Sequence, residues 1–404
     1  MGLNDTPSGE RVHIGFYGLR NAGKSSLVNA VTGQKLSLVS EVKGTTTDPV
    51  RKAMELLPLG PVVIIDTPGI DDTGELGAER VRRASETLSE TDVAVLTADA
   101  SLGLTDGDRE LIRRFEERGI PYLVAWNKSD RPDAKAVPDD GRFVAVSALT
   151  GDGVRELKER IARLGRKEPE REKHIVSDLL KPGDCAVLVI PIDAAAPKGR
   201  LILPQQQTIR DLLEGGCSVL CCRDTELADA LNRLSAPPSL VITDSQAFGR
   251  VAKIVPRDVR LTSFSILFAR YKGDLGELVK GAAALSDLRD GDPVLISEGC
   301  SHHRQCGDIG TEKLPRWIRE FTGTEPIFTF TSGGEFPDDL TPWKLAVHCG
   351  GCMLNEREMK SRIGRCAEAG VPVVNYGVAI AHMHGILRRS LEIFPDMLSL
   401  LDRA

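Results

Sequence analysis

The sequence predicts an α/β protein: an N-terminal phosphate-loop domain followed by two smaller βα domains with parallel sheets. Three observations carry this. An apolar run, Val12 to Tyr17, feeds a glycine-rich octapeptide at residues 18–25. Further strand-like apolar runs each end at a short polar motif, with helical stretches between them. After a charge-dense stretch at 157–173, the β-α alternation starts again and then resumes from about Arg260.

The octapeptide reads G-L-R-N-A-G-K-S and fits G-x-x-x-x-G-K-[ST]. Its glycines let several main-chain N–H groups converge on one phosphate. Lys24 supplies charge for the β- and γ-phosphates, and Ser25 offers its hydroxyl to Mg²⁺. The helix from Ser25 to Val31 points its positive end at the same anion. Gly18, Asn21, Ala22, Gly23, Lys24, Ser25 and Ser26 are the candidate contacts in this loop. Val62 to Ile65 is the next strand and ends in Asp66-Thr67-Pro68-Gly69. Asp66 is placed to hold Mg²⁺ through water, and the Gly69 N–H to sense the γ-phosphate.

Tyr122 to Trp126 leads to Asn127-Lys128-Ser129-Asp130. A carboxylate at Asp130 accepts both N1–H and the 2-amino group of guanine, a donor pair that adenine lacks, so GTP is expected over ATP. Val144 to Val146 leads to Ser147-Ala148-Leu149, whose backbone can meet guanine O6. Four motifs in this order define a P-loop G domain over residues 1–168. Its candidate nucleotide contacts also include Asn127, Lys128, Asp130, Ser147 and Ala148.

Leu157 to Lys173 reads as the last helix of that domain running into an exposed linker. Strands follow at Cys185 to Ile192, Ser218 to Cys222 and Ser239 to Thr243, with helices at Gln205 to Leu213 and Thr225 to Leu234. This β-α-β-α-β pattern with no nucleotide fingerprint reads as a dimerisation domain, residues 174–262, so a homodimer is expected. Cys217, Cys221 and Cys222 alternate along a strand and are read as core thiols, as are Cys185 and Cys366.

The third domain, 263–404, shows strands at Val294 to Ser297, Pro326 to Thr331, Lys344 to Val347 and Val371 to Tyr376. Cys300-x-His302 follows the first of these, and His348-Cys349-Gly-Gly-Cys352 follows the third. Ligands of doubly wound sheets bind beyond strand carboxyl ends, so the two thiol groups are expected to meet in space. From chemistry alone, C-x-H with H-C-x-x-C admits either tetrahedral zinc or an iron–sulfur cluster.

Bulk properties narrow the remaining classes. Net charge is −6, from 52 basic and 58 acidic residues, and aromatics are 4%, which argues against a nucleic-acid surface. No apolar stretch is long enough to span a bilayer and no signal-peptide pattern opens the chain, so no membrane association is expected. Nine cysteines without a secretory signal point to a reducing cytoplasm.

With Asn21 in its loop, the first domain resembles the TrmE–Era group of GTPases. That resemblance implies a potassium ion beside the phosphates, held by Asn21, and picks Thr46 in Gly44-Thr45-Thr46-Thr47-Asp48 as a Mg²⁺ ligand beside Ser25. Lys24, Asn21, Thr46 and Asp66 are then the candidate catalytic residues. Ile70 stands where Ras-like proteins have a water-orienting glutamine, so hydrolysis is expected to be slow and potassium-stimulated.

The whole chain, from this G domain to C-x-H…H-C-x-x-C, resembles the [FeFe]-hydrogenase maturation GTPases. The resemblance implies a [4Fe–4S] cluster held by Cys300, Cys349 and Cys352, with one iron position left labile. His302, His348, Asp308, Cys306, a water or an exogenous ligand are the candidates for that position. It also implies a scaffold that receives a diiron precursor from two radical-SAM maturases and delivers it to apo-[FeFe]-hydrogenase. The alternative is a TrmE–Era-type GTPase whose C-terminal domain binds zinc and acts in RNA or ribosome maturation.

Overall fold

Strands form where β-branched and aliphatic runs precede the motifs, because both faces of a parallel sheet are covered and select near-continuous apolar sequence. The computed structural model describes residues 6–33, 49–68, 86–166, 173–192, 201–299, 308–351 and 353–401. The chain divides into two compact units, residues 1–171 and 172–404.

In the first unit the described elements are β1 (Val12–Tyr17), a helix at Lys24–Thr32, β2 (Val50–Leu56), β3 (Gly60–Asp66), β4 (Val93–Asp99), a helix at Asp106–Glu117, β5 (Tyr122–Asn127), β6 (Phe143–Ala145) and a helix at Val154–Gly165. They build one sheet in the order β2-β3-β1-β4-β5-β6. Only β2 runs antiparallel to its neighbour. One face buries Ile14, Phe16, Leu27 and Leu157, and the other Tyr17, Leu96, Leu111 and Phe115. β1 lies between β3 and β4, so the octapeptide leaves the sheet where strand order reverses. That is where such sheets place ligands.

The second unit holds two all-parallel sheets. β7 (Cys185–Val189), β8 (Ser218–Cys222), β9 (Leu240–Thr243) and β10 (Leu261–Ser263) are ordered β10-β9-β7-β8. β11 (Pro293–Glu298), β12 (Ile327–Ser332), β13 (Leu345–His348) and β14 (Val373–Asn375) are ordered β12-β11-β13-β14. Helices at Phe264–Lys272, Leu275–Ala283, Leu314–Thr322, Glu356–Glu368 and Tyr376–Met383 accompany the second sheet. A single apolar core runs through both sheets, from Val187 and Ile242 to Phe268, Leu295 and Val374.

Three expectations are corrected. The middle sheet has a fourth strand, β10, whose three residues are too few to show a period. The strand expected at Val371 to Tyr376 stops at Asn375, whose side chain accepts the Val378 N–H at 2.8 Å and starts a helix. Cys217 and Cys366 are buried and Cys185 and Cys222 half-buried, but Cys221 is exposed. It sits on the edge strand β8.

Candidate functional site

The first candidate site gathers at the carboxyl ends of β1, β3, β4 and β5. Gly23 adopts φ +88 and Asn21 φ +62, both in the left-handed region, which curls the loop into a cradle. A β-carbon on Gly23 would collide with Asn127 Nδ2, so only glycine fits. The Asn127 amide ties two motifs together. It donates to the Ala22 carbonyl at 2.8 Å and accepts from the Ala148 N–H at 3.1 Å. Lys128 reaches back to the Asn21 carbonyl at 2.7 Å and pairs with Asp99 at 2.6 Å. Burial alone would raise the Asp99 carboxyl. The hydrogen bonds from Lys128 and Ser101 outweigh it and hold the group below the usual carboxylate range.

Parallel pairing of β1 with β3 sets Phe16 beside Asp66. The Asp66 carboxylate accepts the Ser25 hydroxyl at 2.9 Å and lies 3.9 Å from Lys24 Nζ, with both charged groups largely buried. Ser147 is buried, Ala148 half-buried and Asp130 exposed. Gly18 is buried at the start of the loop, and Ser26 is half-buried in its helix. Thr46, Gly69 and Ile70, with the rest of 44–48, lie outside the described residues.

The second candidate site lies where β11 and β13 end side by side. β11 is flanked by β12 and β13, so strand order reverses here too. Register pairs Ser297 with His348, and the Cys349 N–H bonds the Ser297 carbonyl at 2.9 Å. Cys349 Sγ then accepts two main-chain N–H groups, from Gly299 at 3.0 Å and from Gly351 at 3.4 Å. Gly299 precedes Cys300 and Gly351 precedes Cys352, although both of those cysteines lie outside the described residues. Gly351 has φ +61, and a β-carbon there would strike Met359 Sδ, whereas Gly350 faces open space. The donor set fits a metal-bound thiolate, which takes such outer hydrogen bonds from the backbone. Among the described residues, no cluster of three or more His, Cys, Asp or Glu side chains is close enough to hold a metal ion.

Behind Cys349 the polar groups are locked, and the sequence carries no sign of this. His348 is buried and directs Nδ1 at the Cys349 carbonyl, 2.8 Å away. Its Nε2 then accepts from Arg362 Nη1 at 3.2 Å. Burial, then the Arg362 charge, pushes the imidazole down to about 3. Arg362 is itself buried, donates to Glu358 at 2.6 Å and to the Gly333 carbonyl at 2.7 Å, and lies over the Phe336 ring. Both nitrogens of His348 are therefore engaged by the protein.

Asp308, another candidate ligand, accepts the Thr311 N–H and hydroxyl, each at 2.9 Å. His302 and Cys306 lie outside the described residues. Tyr376 donates to Glu298 at 3.2 Å. Burial pushes its hydroxyl up, and Cys349 and Glu298 act in the same direction.

Family comparisons agree with this layout. Residues 13–128 match a model described as a 50S ribosome-binding GTPase. The fold and its loop thus define the class: a P-loop GTPase domain heading a multidomain α/β chain. Residues 175–273 match the hydrogen maturase F dimerization domain, and residues 276–393 match the tetramerization domain of the same family. These two matches take in more than half of the chain, and the chain belongs to the hydrogen maturase F family.

Curated relatives align with the first unit. The tRNA modification GTPase MnmE of Nitrosomonas europaea is 31% identical over 153 residues, covering 37% of this chain and 34% of that protein. GTPase Der of Kosmotoga olearia is 31% identical over 176 residues, covering 39% and 40% respectively. The chain thus spans between a third and two-fifths of the length of these relatives. A crystal structure of Era from Aquifex aeolicus bound to GDP.AlF4⁻ aligns with TM-score 0.34 and 20% identity, over 60% of this chain and 97% of that one. No described helix is long and apolar enough to cross a membrane.

Proposed function

We propose that this chain is a GTP-hydrolysing carrier in [FeFe]-hydrogenase maturation. It binds a [4Fe–4S] cluster through Cys300, Cys349 and Cys352, takes a diiron precursor from two radical-SAM maturases and passes it to the apo-hydrogenase. The observation that carries the reading is the environment of Cys349. Its sulfur sits past the ends of two adjacent strands and accepts N–H groups from the glycines that precede the other two cysteines. When bound, the cluster would supply an iron position to which a precursor attaches. With His348 held by Arg362 and by the Cys349 carbonyl, that position would be left to another side chain, a water or an exogenous ligand.

In the G domain, Lys24 neutralises charge on the β- and γ-phosphates, and the N–H groups of residues 18–25 cradle them. Ser25 and Thr46 would hold Mg²⁺ and Asn21 a potassium ion; these cations would offset charge developing on the phosphates. Asp66 orients the Ser25 hydroxyl. Asp130 selects guanine, while Asn127 and Lys128 brace the loop from behind. Ile70 brings no polar group to a water, which keeps turnover slow.

Nucleotide state then biases partner docking through the segments around 44–48 and 69–77, leaving cargo chemistry to the second unit. The test is maturation in vitro by a Lys24→Ala variant. The variant is expected to load iron normally and to activate hydrogenase at a fraction of the wild-type rate and yield. Wild-type rate and yield would remove nucleotide control from the account.

A further inference from the structure

Lys272 ends the helix Phe264–Lys272 and is only 3% exposed. A lysine at a helix end ordinarily lays its stem along the surface and keeps its ammonium in water. Here the ammonium turns inward and donates to the Leu354 carbonyl at 3.4 Å. Leu354 belongs to the second candidate site. Its N–H bonds the Gly351 carbonyl at 3.0 Å. Its side chain packs so closely on Gly299 that a β-carbon there would come within 2.6 Å of Leu354 Cγ. Gly299 and Gly351 are the two residues whose N–H groups converge on Cys349 Sγ. Through Leu354, Lys272 is therefore linked to both cysteine-bearing segments.

The charge matters as well as the hydrogen bond. Each carboxylate that opens the next helix already has a cation of its own: Glu356 pairs with Lys173 and Lys360, and Glu358 with Arg362. Lys272 brings a further positive charge to the turn. A buried ammonium is costly unless negative charge accompanies it. Three thiolates outweigh the charge of an oxidised [4Fe–4S] core and leave the whole anionic, and reduction adds a further negative charge.

We propose that Lys272 is a positioning and charge-balancing residue for the cluster: it braces the turn through Leu354 and offsets the negative charge of the thiolate-bound iron. The inference rests on the cluster reading above and adds a residue distant in sequence from both cysteine motifs. Net charge around an iron–sulfur centre, and hydrogen bonding behind its ligands, set its reduction potential. The reduced cluster carries more negative charge and gains more from Lys272, so the residue raises the potential.

The test compares the full chain with Lys272→Gln and Lys272→Arg variants, each reconstituted anaerobically with iron and sulfide. Iron and sulfide are counted, and the potential is read by a redox titration followed by EPR. Glutamine keeps a donor for the Leu354 carbonyl and removes the charge, whereas arginine keeps both. The glutamine variant is expected to load as the wild type does, with a cluster about tenfold harder to reduce. That is a shift of about 59 mV to more negative potential for one electron. The arginine variant should stay with the wild type. Where glutamine disturbs folding, Lys272→Met fills the same space without charge and carries the same prediction. A folded glutamine variant that takes up no iron, beside an arginine variant that loads fully, supports the same assignment. A full cluster at wild-type potential in the glutamine variant, or equal effects of glutamine and arginine, would overturn the role of Lys272 and leave the cluster standing. A wild type that takes up no iron and sulfide would remove the cluster reading, and this inference with it.

Discussion

Arg362 is a fully engaged cation inside the second unit, and the end of β13 leans on it. Its guanidinium bonds Glu358, the Gly333 carbonyl and His348, which in turn holds the Cys349 carbonyl. Removing one partner of a buried ion pair leaves the other charge without compensation. Arg362→Met is expected to lower unfolding free energy by about 3 kcal/mol in urea titrations. Adding Glu358→Gln should recover part of that loss, and strictly additive losses would mean the two side chains do not act as a pair.

Gly351 makes a second residue-scale prediction. Its positive φ and its closeness to Met359 exclude a side chain, while Gly350 has open space around it. A left-handed backbone costs a non-glycine residue roughly 1–2 kcal/mol before any collision. Gly351→Ala should therefore bind less iron on reconstitution and melt earlier, with Gly350→Ala close to wild type in both respects. Equal behaviour of the two variants would contradict this account of the turn. The H-C-x-x-C spacing made Cys349 legible as a ligand candidate from sequence. The locking of His348 was not legible, because it depends on a partner fourteen residues on, brought over the strand by how the helix 356–368 packs.

At the scale of elements, the strands that feed each motif could be read because parallel strands covered on both faces need continuous apolar runs. β1, β3, β5, β11 and β13 start or end within a residue or two of expectation. β2, β4 and β10 were missed for different reasons; β4, although apolar and buried, leads into none of the four motifs. β2 alternates exposed and half-buried residues at the sheet edge, and β10 has only three residues. The phosphate loop is an element whose chemistry can be tested directly. Asn21 stands exposed at a left-handed position, with its carbonyl held by Lys128, which leaves its side chain free to serve an ion. GTP hydrolysis is expected to run severalfold faster in potassium than in sodium at equal ionic strength. Equal rates would remove Asn21 from any role in cation binding.

For the whole molecule, the restart of βα alternation after a charge-rich linker was legible. The continuous core shared by both sheets of the second unit was not, since it depends on how helices between the sheets pack. Hydrogen maturase F membership joins a nucleotide switch to oligomerisation domains in one chain, and the carrier reading adds a cargo site at β11 and β13. That reading requires an iron–sulfur centre there, whereas zinc is the other occupant the ligand set allows.

Iron, acid-labile sulfide and zinc, measured on one anaerobically reconstituted preparation, decide between them. The carrier account predicts about four iron and about four sulfide per chain, in a brown protein absorbing broadly near ~400 nm, all lost in Cys349→Ala. A colourless protein holding about one zinc per chain and no sulfide would contradict it.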